Sequence, residues 1–193
     1  MRRLLLALGL TTVAAAQTLY APTPPDGSAF VRLVGGREAS FNGQSVTAPV
    51  GAVSPYIVMP EGVLKASAGG AKGNFKVQAG RFYTVALLSG KLQLLTDPDA
   101  SNRAKALLTL YNLGGAPALS LKTADGRTSV IAGVKPGASA SRAVNGVTAD
   151  LGVFSGTRSL KTLKGVQLER GGAYAVVVTP GGTTLTQSST QAR

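Results

Sequence analysis

The stretch Asn74-Phe75-Lys76-Val77-Gln78-Ala79-Gly80-Arg81-Phe82-Tyr83-Thr84-Val85 aligns without gaps to a second one, Gly165-Val166-Gln167-Leu168-Glu169-Arg170-Gly171-Gly172-Ala173-Tyr174-Ala175-Val176. Gly80 falls on Gly171, Tyr83 on Tyr174 and, a little further on, Gly90 on Gly181. Glycine at these positions is what tight turns demand, because it takes positive φ without a steric penalty. The starts of the halves match more loosely, residues 30–34 against 107–111. Read this way, the chain holds two copies of one small β-domain.

The seam between the copies is Thr96-Asp97-Pro98-Asp99, a breaker followed by the polar run Ala100-Ser101-Asn102-Arg103-Ala104-Lys105. Pro98 has no amide hydrogen and biases Asp97 away from the helical region, so an element ends here. Before the seam, residues 28–34, 39–42, 44–48, 50–59, 63–68, 74–78, 82–88 and 91–96 read as strands separated by Gly and Pro. After it, residues 106–111, 118–123, 128–132, 139–144, 147–154, 158–163, 166–169, 173–179 and 183–187 do the same. Asp125-Gly126 predicts a two-residue hairpin turn. The predicted fold class is all-β, with two tandem small β-sandwich (Ig-like) domains. Residues 28–96 form the N-terminal sandwich, 97–105 a short linker, 106–187 the C-terminal sandwich and 188–193 a frayed tail. One larger sandwich or barrel with coincidental similarity is the competing reading.

The amino terminus reads as a cleaved signal peptide, residues 1–16. Arg2-Arg3 is the basic region, residues 4–13 are apolar, and Ala14-Ala15-Ala16 is a small-residue cleavage site. The apolar run is short for a membrane span, and no second one follows. This predicts an exported, periplasmic protein, with an uncleaved anchor as the alternative. Residues 17–27 are a Pro-rich, extended lead-in.

Composition narrows the chemistry. The 193 residues contain no Cys, so there are no disulfides despite the oxidising destination, and burial and strand pairing must stabilise both sandwiches. Loss of Arg2 and Arg3 leaves 18 basic residues against 8 acidic, a net charge of +10. Such charge favours polyanions, although the cations are spaced singly and also fit a plain soluble basic surface. Export argues against nucleic acid as a partner.

No His is present, which excludes a Ser-His-Asp triad and any His-ligated metal. Neither a Gly-x-Ser-x-Gly elbow nor a phosphate-binding loop occurs. Asp97 and Asp99 flank Pro98, but two carboxylates are thin for calcium; turn and capping roles suit them better. The sequence therefore assigns no catalytic residue, no cofactor and no metal site, and the chain reads as not an enzyme. Arg103 and Lys105, in a mobile basic linker, and Tyr20, beside the Pro-rich lead-in, are the candidate contacts to a partner or polymer. Phe82, Tyr83, Tyr111 and Tyr174 read as core residues, with a contact patch as the alternative.

An ordered set of short motifs carries a resemblance. Leu19-Tyr20-Ala21-Pro22, Gly27-Ser28-Ala29-Phe30-Val31-Arg32, Arg81-Phe82-Tyr83-Thr84, Asp97-Pro98, Lys105-Ala106-Leu107 and Leu119-Ser120-Leu121-Lys122-Thr123-Ala124-Asp125-Gly126 resemble the periplasmic alginate O-acetylation protein family AlgF. The match runs over essentially all the chain after residue 16. The resemblance implies a non-enzymatic periplasmic accessory protein with two β-sandwiches. It would be needed for O-acetylation of an exopolysaccharide, alginate or alginate-like. The implied partners are an SGNH-type acetyltransferase and a membrane-bound O-acyltransferase, with contact to the inner membrane peripheral at most. Two alternatives remain from the residues: a module binding an acidic polysaccharide, and a structural envelope protein.

Overall fold

The computed structural model describes residues 23–36, 38–99 and 102–188, and every regular element among them is a β-strand. The signal peptide, Tyr20 with most of the lead-in, and residues 189–193 lie outside the described residues.

The first half comprises β1 (Ser28–Val34), β2 (Glu38–Phe41), β3 (Gln44–Thr47), β4 (Ile57–Pro60), β5 (Gly62–Ala68), β6 (Ala71–Val77), β7 (Phe82–Leu88) and β8 (Lys91–Asp97). The second comprises β9 (Ala106–Asn112), β10 (Leu119–Thr123), β11 (Ser129–Val134), β12 (Ser139–Val144), β13 (Thr148–Ser155), β14 (Arg158–Gln167), β15 (Ala173–Thr179) and β16 (Gly182–Ser188). The sheet orders are β4-β1-β7-β8 and β3-β2-β5-β6, then β12-β9-β15-β16 and β11-β10-β13-β14. Adding eight to every label of the first pair gives the second pair. Both copies share a parallel neighbour, β1 beside β7 and β9 beside β15. Register confirms the alignment: Phe30 lies opposite Phe82, and Leu107 opposite Ala173.

Each half is a two-layer sandwich with its own apolar core. Val31, Leu33, Phe41, Leu64 and Val85 are fully buried in the first, and Leu108, Leu110, Leu119, Leu121 and Val176 in the second. In each copy the tyrosine clamps the preceding corner. Tyr83 Oη accepts the Gln78 amide hydrogen (3.2 Å), and Tyr174 Oη that of Glu169 (2.9 Å). Gly80 and Gly171 sit in those corners at φ 70° and 74°.

The second predicted turn pair diverges. Ser89 and Gly90 both take positive φ, whereas Gly181 does not. Pro180 explains this, since its ring fixes φ near −65° and forbids a turn with positive φ at both central positions. Asp125-Gly126 also departs from expectation. Gly126 N–H donates to Thr123 O, and only Gly126 of the pair has positive φ, so the loop is longer than two residues.

Three further expectations need correction. Residues 50–59 are not one strand, because Val53 makes only an isolated bridge to Val34 before β4 begins after Pro55. Residues 158–163 and the first two of 166–169 merge into β14, which ends at Gln167 and whose register slips past β13 let one strand continue. Ser188 is not part of a frayed tail; it closes β16 opposite Ala173.

The halves meet through the two sheets that contain the parallel pairs. Alternation along β1, β7, β9 and β15 sends one set of residues into each sandwich core and the other set outward. The outward set is also buried: Val34, Ala86 and Leu95 pack with Tyr111, Leu113, Ala175 and Val177 in a third apolar cluster. The result is four stacked layers, with the two parallel-containing sheets inside. Sheets covered on both faces read as continuous apolar runs, which explains Phe82–Leu88 (FYTVALL) and Ala173–Thr179 (AYAVVVT).

Candidate functional site

The layer between the halves holds a buried polar group as well as apolar side chains. Arg32, in the middle of β1, is 4% exposed, and Asp97, the last residue of β8, is 7% exposed. Arg32 Nε lies 3.5 Å from Asp97 Oδ2 and donates to Thr84 Oγ1 at 2.9 Å. Its Nη2 donates to Tyr111 Oη at 2.6 Å, and its Nη1 to Ser188 Oγ. Asp97 accepts from Tyr56 (2.7 Å), Tyr111 (2.8 Å) and Thr84. The guanidinium lies 4.3 Å from the Tyr56 ring centroid, within cation–π range.

Arg32, Tyr56, Thr84 and Asp97 belong to the first half; Tyr111 and Ser188 belong to the second. Burial opposes the charge on Arg32, but the Tyr111, Tyr56 and Asp97 oxygens outweigh it and hold the guanidinium above its ordinary value. Burial pushes the Tyr56 and Tyr111 phenols up, against the pull of Arg32, so both stay neutral donors. Unpaired, either charge would be costly in such a place. The arrangement offers no open cleft to a substrate. Its chemistry is a lock that fixes one half on the other.

Asp97 therefore corrects the sequence reading. It is not a linker residue in a turn or capping role: it closes β8, and both its carboxylate oxygens accept side-chain hydrogen bonds. Tyr83, Tyr111 and Tyr174 are buried as expected, and Phe82 stacks on Phe30 at 4.5 Å. A charged residue inside the apolar run Phe30-Val31-Arg32-Leu33-Val34 was the one available hint of the lock.

The basic candidates fall differently. Asn102 to Lys105 is a turn tied to the second half, with Lys105 N–H donating to Asn102 O (3.2 Å) and Gly171 N–H to Lys105 O (2.9 Å). Arg103 is exposed on it. Lys105 lines a cavity of about 310 Å³ together with Thr128, Ser129, Arg142 and Asn145. Its Nζ donates to Asn145 Oδ1 at 2.7 Å. Arg142, which the sequence did not single out, donates through Nη1 to the carbonyls of Ser129 (3.2 Å) and Val130 (3.0 Å). The structure thus brings Lys105 to a second cation and leaves Arg103 outside that cavity.

Fold and site together define a class: an all-β protein of two fused, duplicated sandwiches, held face to face by a buried ion pair. The chain belongs to the AlgF family. The family model described as "Alginate O-acetyl transferase AlgF" matches residues 3–175. The "Alginate biosynthesis protein AlgF" of Azotobacter vinelandii is 36% identical over 189 residues, covering 91% of this chain and 84% of that one. The protein of that name from Pseudomonas aeruginosa is 37% identical over 187 residues, with 92% and 86% covered. A solved structure described as the C-terminal domain of AlgF from P. aeruginosa is 36% identical, covers 44% of this chain and 96% of that one, and has a TM-score of 0.37.

Proposed function

We propose that this protein is a non-enzymatic accessory in the O-acetylation of alginate or an alginate-like exopolysaccharide, exported to the periplasm by a cleaved signal peptide. Family membership gives it a role in alginate biosynthesis, and the match over nearly the whole chain carries the reading. The names differ on chemistry, since the family model is called a transferase and the curated relatives biosynthesis proteins. A chain with no His and no Cys lacks the usual base and thiol of acyl transfer, which favours the accessory role. Its work is then to bind the transferring enzymes, an SGNH-type acetyltransferase and a membrane-bound O-acyltransferase, and the locked sandwiches suit a rigid platform.

The test combines a deletion strain with the purified chain. Polymer made without acetyl groups in the deletion strain, recovery of an acetyltransferase with the tagged protein, and no acetyl transfer by the protein alone are the expected results. Transfer by the protein alone would overturn the non-enzymatic reading, and unchanged acetylation would overturn the whole role. Amino-terminal sequencing of the exported chain should begin at Gln17.

A second reading has an observation of its own. Lys105 and Arg142 in one cavity favour direct contact with an acidic polysaccharide.

A further inference from the structure

On the side of the first half, the four stacked layers end in the outer sheet β3-β2-β5-β6. One face of this sheet covers the core, and the other is turned to solvent. Alternation puts Leu64 and Ala66 of β5 and Val77 of β6 inside. It puts Val63, Lys65, Lys72, Asn74 and Lys76 outside, where all five are exposed. Register arranges the lysines as a triangle. Lys65 lies opposite Asn74, so Lys72 and Lys76 are its diagonal neighbours, about 7–8 Å away on the ladder. Val63 lies opposite Lys76 and is 64% exposed. The sheet's four strands hold one acidic residue, Glu38 on β2, and no described carboxylate pairs with these lysines. Glu61, in the turn before β5, accepts from the Ala79 amide instead (3.4 Å).

Lysine on an edge strand discourages strand-to-strand aggregation. That accounts for Lys72 and Lys76, since β6 is an edge. It does not account for Lys65, because β5 lies inside the sheet, nor for an apolar side chain left in water beside the cluster. Like charges this close, without a counter-charge, repel. The second half shows that the fold does not require them. By the shared ladder, Thr148, Asp150 and Gln167 stand where the first half has Val63, Lys65 and Lys76, and Asp150 takes the Gly165 amide.

We propose that this face docks on an anionic lipid surface. Lys65, Lys72 and Lys76 contact headgroup phosphates, and Val63 enters the boundary between headgroups and acyl chains. Charge complementarity selects the occupant, since separate cations spread over a sheet meet the separate phosphates of a bilayer. A bilayer also takes in an apolar side chain, for which a water-soluble polyanion has no place. Three charges and one valine give weak, reversible attachment. Docked in this way, the outer sheet lies on the bilayer, and the second half, at the other end of the stack, points away from it. The inference goes beyond the proposed function and needs no acetyltransferase.

The test is sedimentation of the purified exported chain, free of the apolar residues 4–13, with vesicles of mixed phosphatidylglycerol and phosphatidylethanolamine. Vesicles of phosphatidylcholine alone are the reference. Binding to the first at low salt, release at high salt and no binding to the second are expected. A lysine near an anionic surface is worth about five-fold, so Lys65→Gln, Lys72→Gln and Lys76→Gln together should lower partition about hundred-fold. Arg158→Gln, Lys161→Gln and Lys164→Gln remove equal charge from β14, in the opposite outer layer, and should lower it less than about five-fold. Val63→Ser should lower it about three-fold and leave the salt dependence unchanged, because no charge is lost. Relief of repulsion keeps the triple lysine variant as stable as the parent in urea, so its lost binding reads the face rather than the fold. Equal losses from the two triple variants would show diffuse attraction and overturn the docking face, as would equal binding to both kinds of vesicle or to neither.

Discussion

The two halves repeat strand for strand, yet their mutually buried faces differ at the positions that build the ion pair. Where the first half has Arg32, Thr84 and Asp97, the second has Thr109, Ala175 and Ser188, as the shared register shows. Where the first has Val34, the second has Tyr111, whose hydroxyl reaches the ion pair. Two identical apolar faces could dock in several ways and could also capture a second molecule. A charge pair on one face, completed by hydroxyls of the other, is satisfied in one arrangement only. The difference teaches that duplication supplied the area and divergence supplied the specificity.

The largest effect should follow from breaking the pair on one side. Asp97→Ala leaves Arg32 buried without a counter-charge and should cost about 3–5 kcal/mol in urea unfolding. Replacing both members, Arg32→Met with Asp97→Leu, sharpens the point. The expected stability is near that of the parent, with the relative orientation of the halves less well fixed in solution scattering. A double variant as unstable as Asp97→Ala would sink the view that the pair contributes specificity rather than net stability.

Tyr111→Phe removes the hydroxyl that crosses between the halves and should cost about 1–3 kcal/mol. The alkaline limb of stability tests the same contact. Both buried phenols are held above their ordinary value near 10. Their contribution is therefore complete below about pH 10 and lost as pH rises, because the unfolded phenols ionise first. Urea midpoints between about pH 8 and pH 11 should fall, and fall less steeply in a Tyr56→Phe, Tyr111→Phe variant.

The features the halves share should respond alike. Tyr83→Phe and Tyr174→Phe each remove one hydrogen bond to a corner amide, at about 1 kcal/mol apiece. A large disparity between them would break the equivalence of the two corners. The smallest effect belongs to Ser188→Ala. It takes one acceptor from Arg32 at a half-buried position where water can replace it, and leaves Asp97 in place, for less than about 1 kcal/mol by thermal melting.

Much of the fold was legible in the chain. The boundaries of residues 28–34, 82–88, 139–144 and 173–179 coincide with β1, β7, β12 and β15, because β-branched and aromatic runs between glycines leave little choice. Turns were harder. The Asp125-Gly126 and Pro180-Gly181 dipeptides depend on loop length and on a proline ring, which a Gly-based signal does not count. Of the candidate contacts, Lys105 gained a neighbour in Arg142, some 37 residues on in sequence, which only the closing of one sheet over another could bring near. Nothing in the spacing of Arg32 and Asp97 announced a bond between them.

By itself the sequence determined the all-β class, the duplication, the basic charge, the lack of His and Cys chemistry and the family. These depend on local alternation, on turn residues and on composition, all of which are written along the chain. Only the tertiary structure decided what covers the second face of the doubly apolar strands, which charge sits beside which hydroxyl, and which edge of a sandwich stays open. A period of two tells which residues share a face of a sheet; it carries no information about the surface that comes to rest against that face.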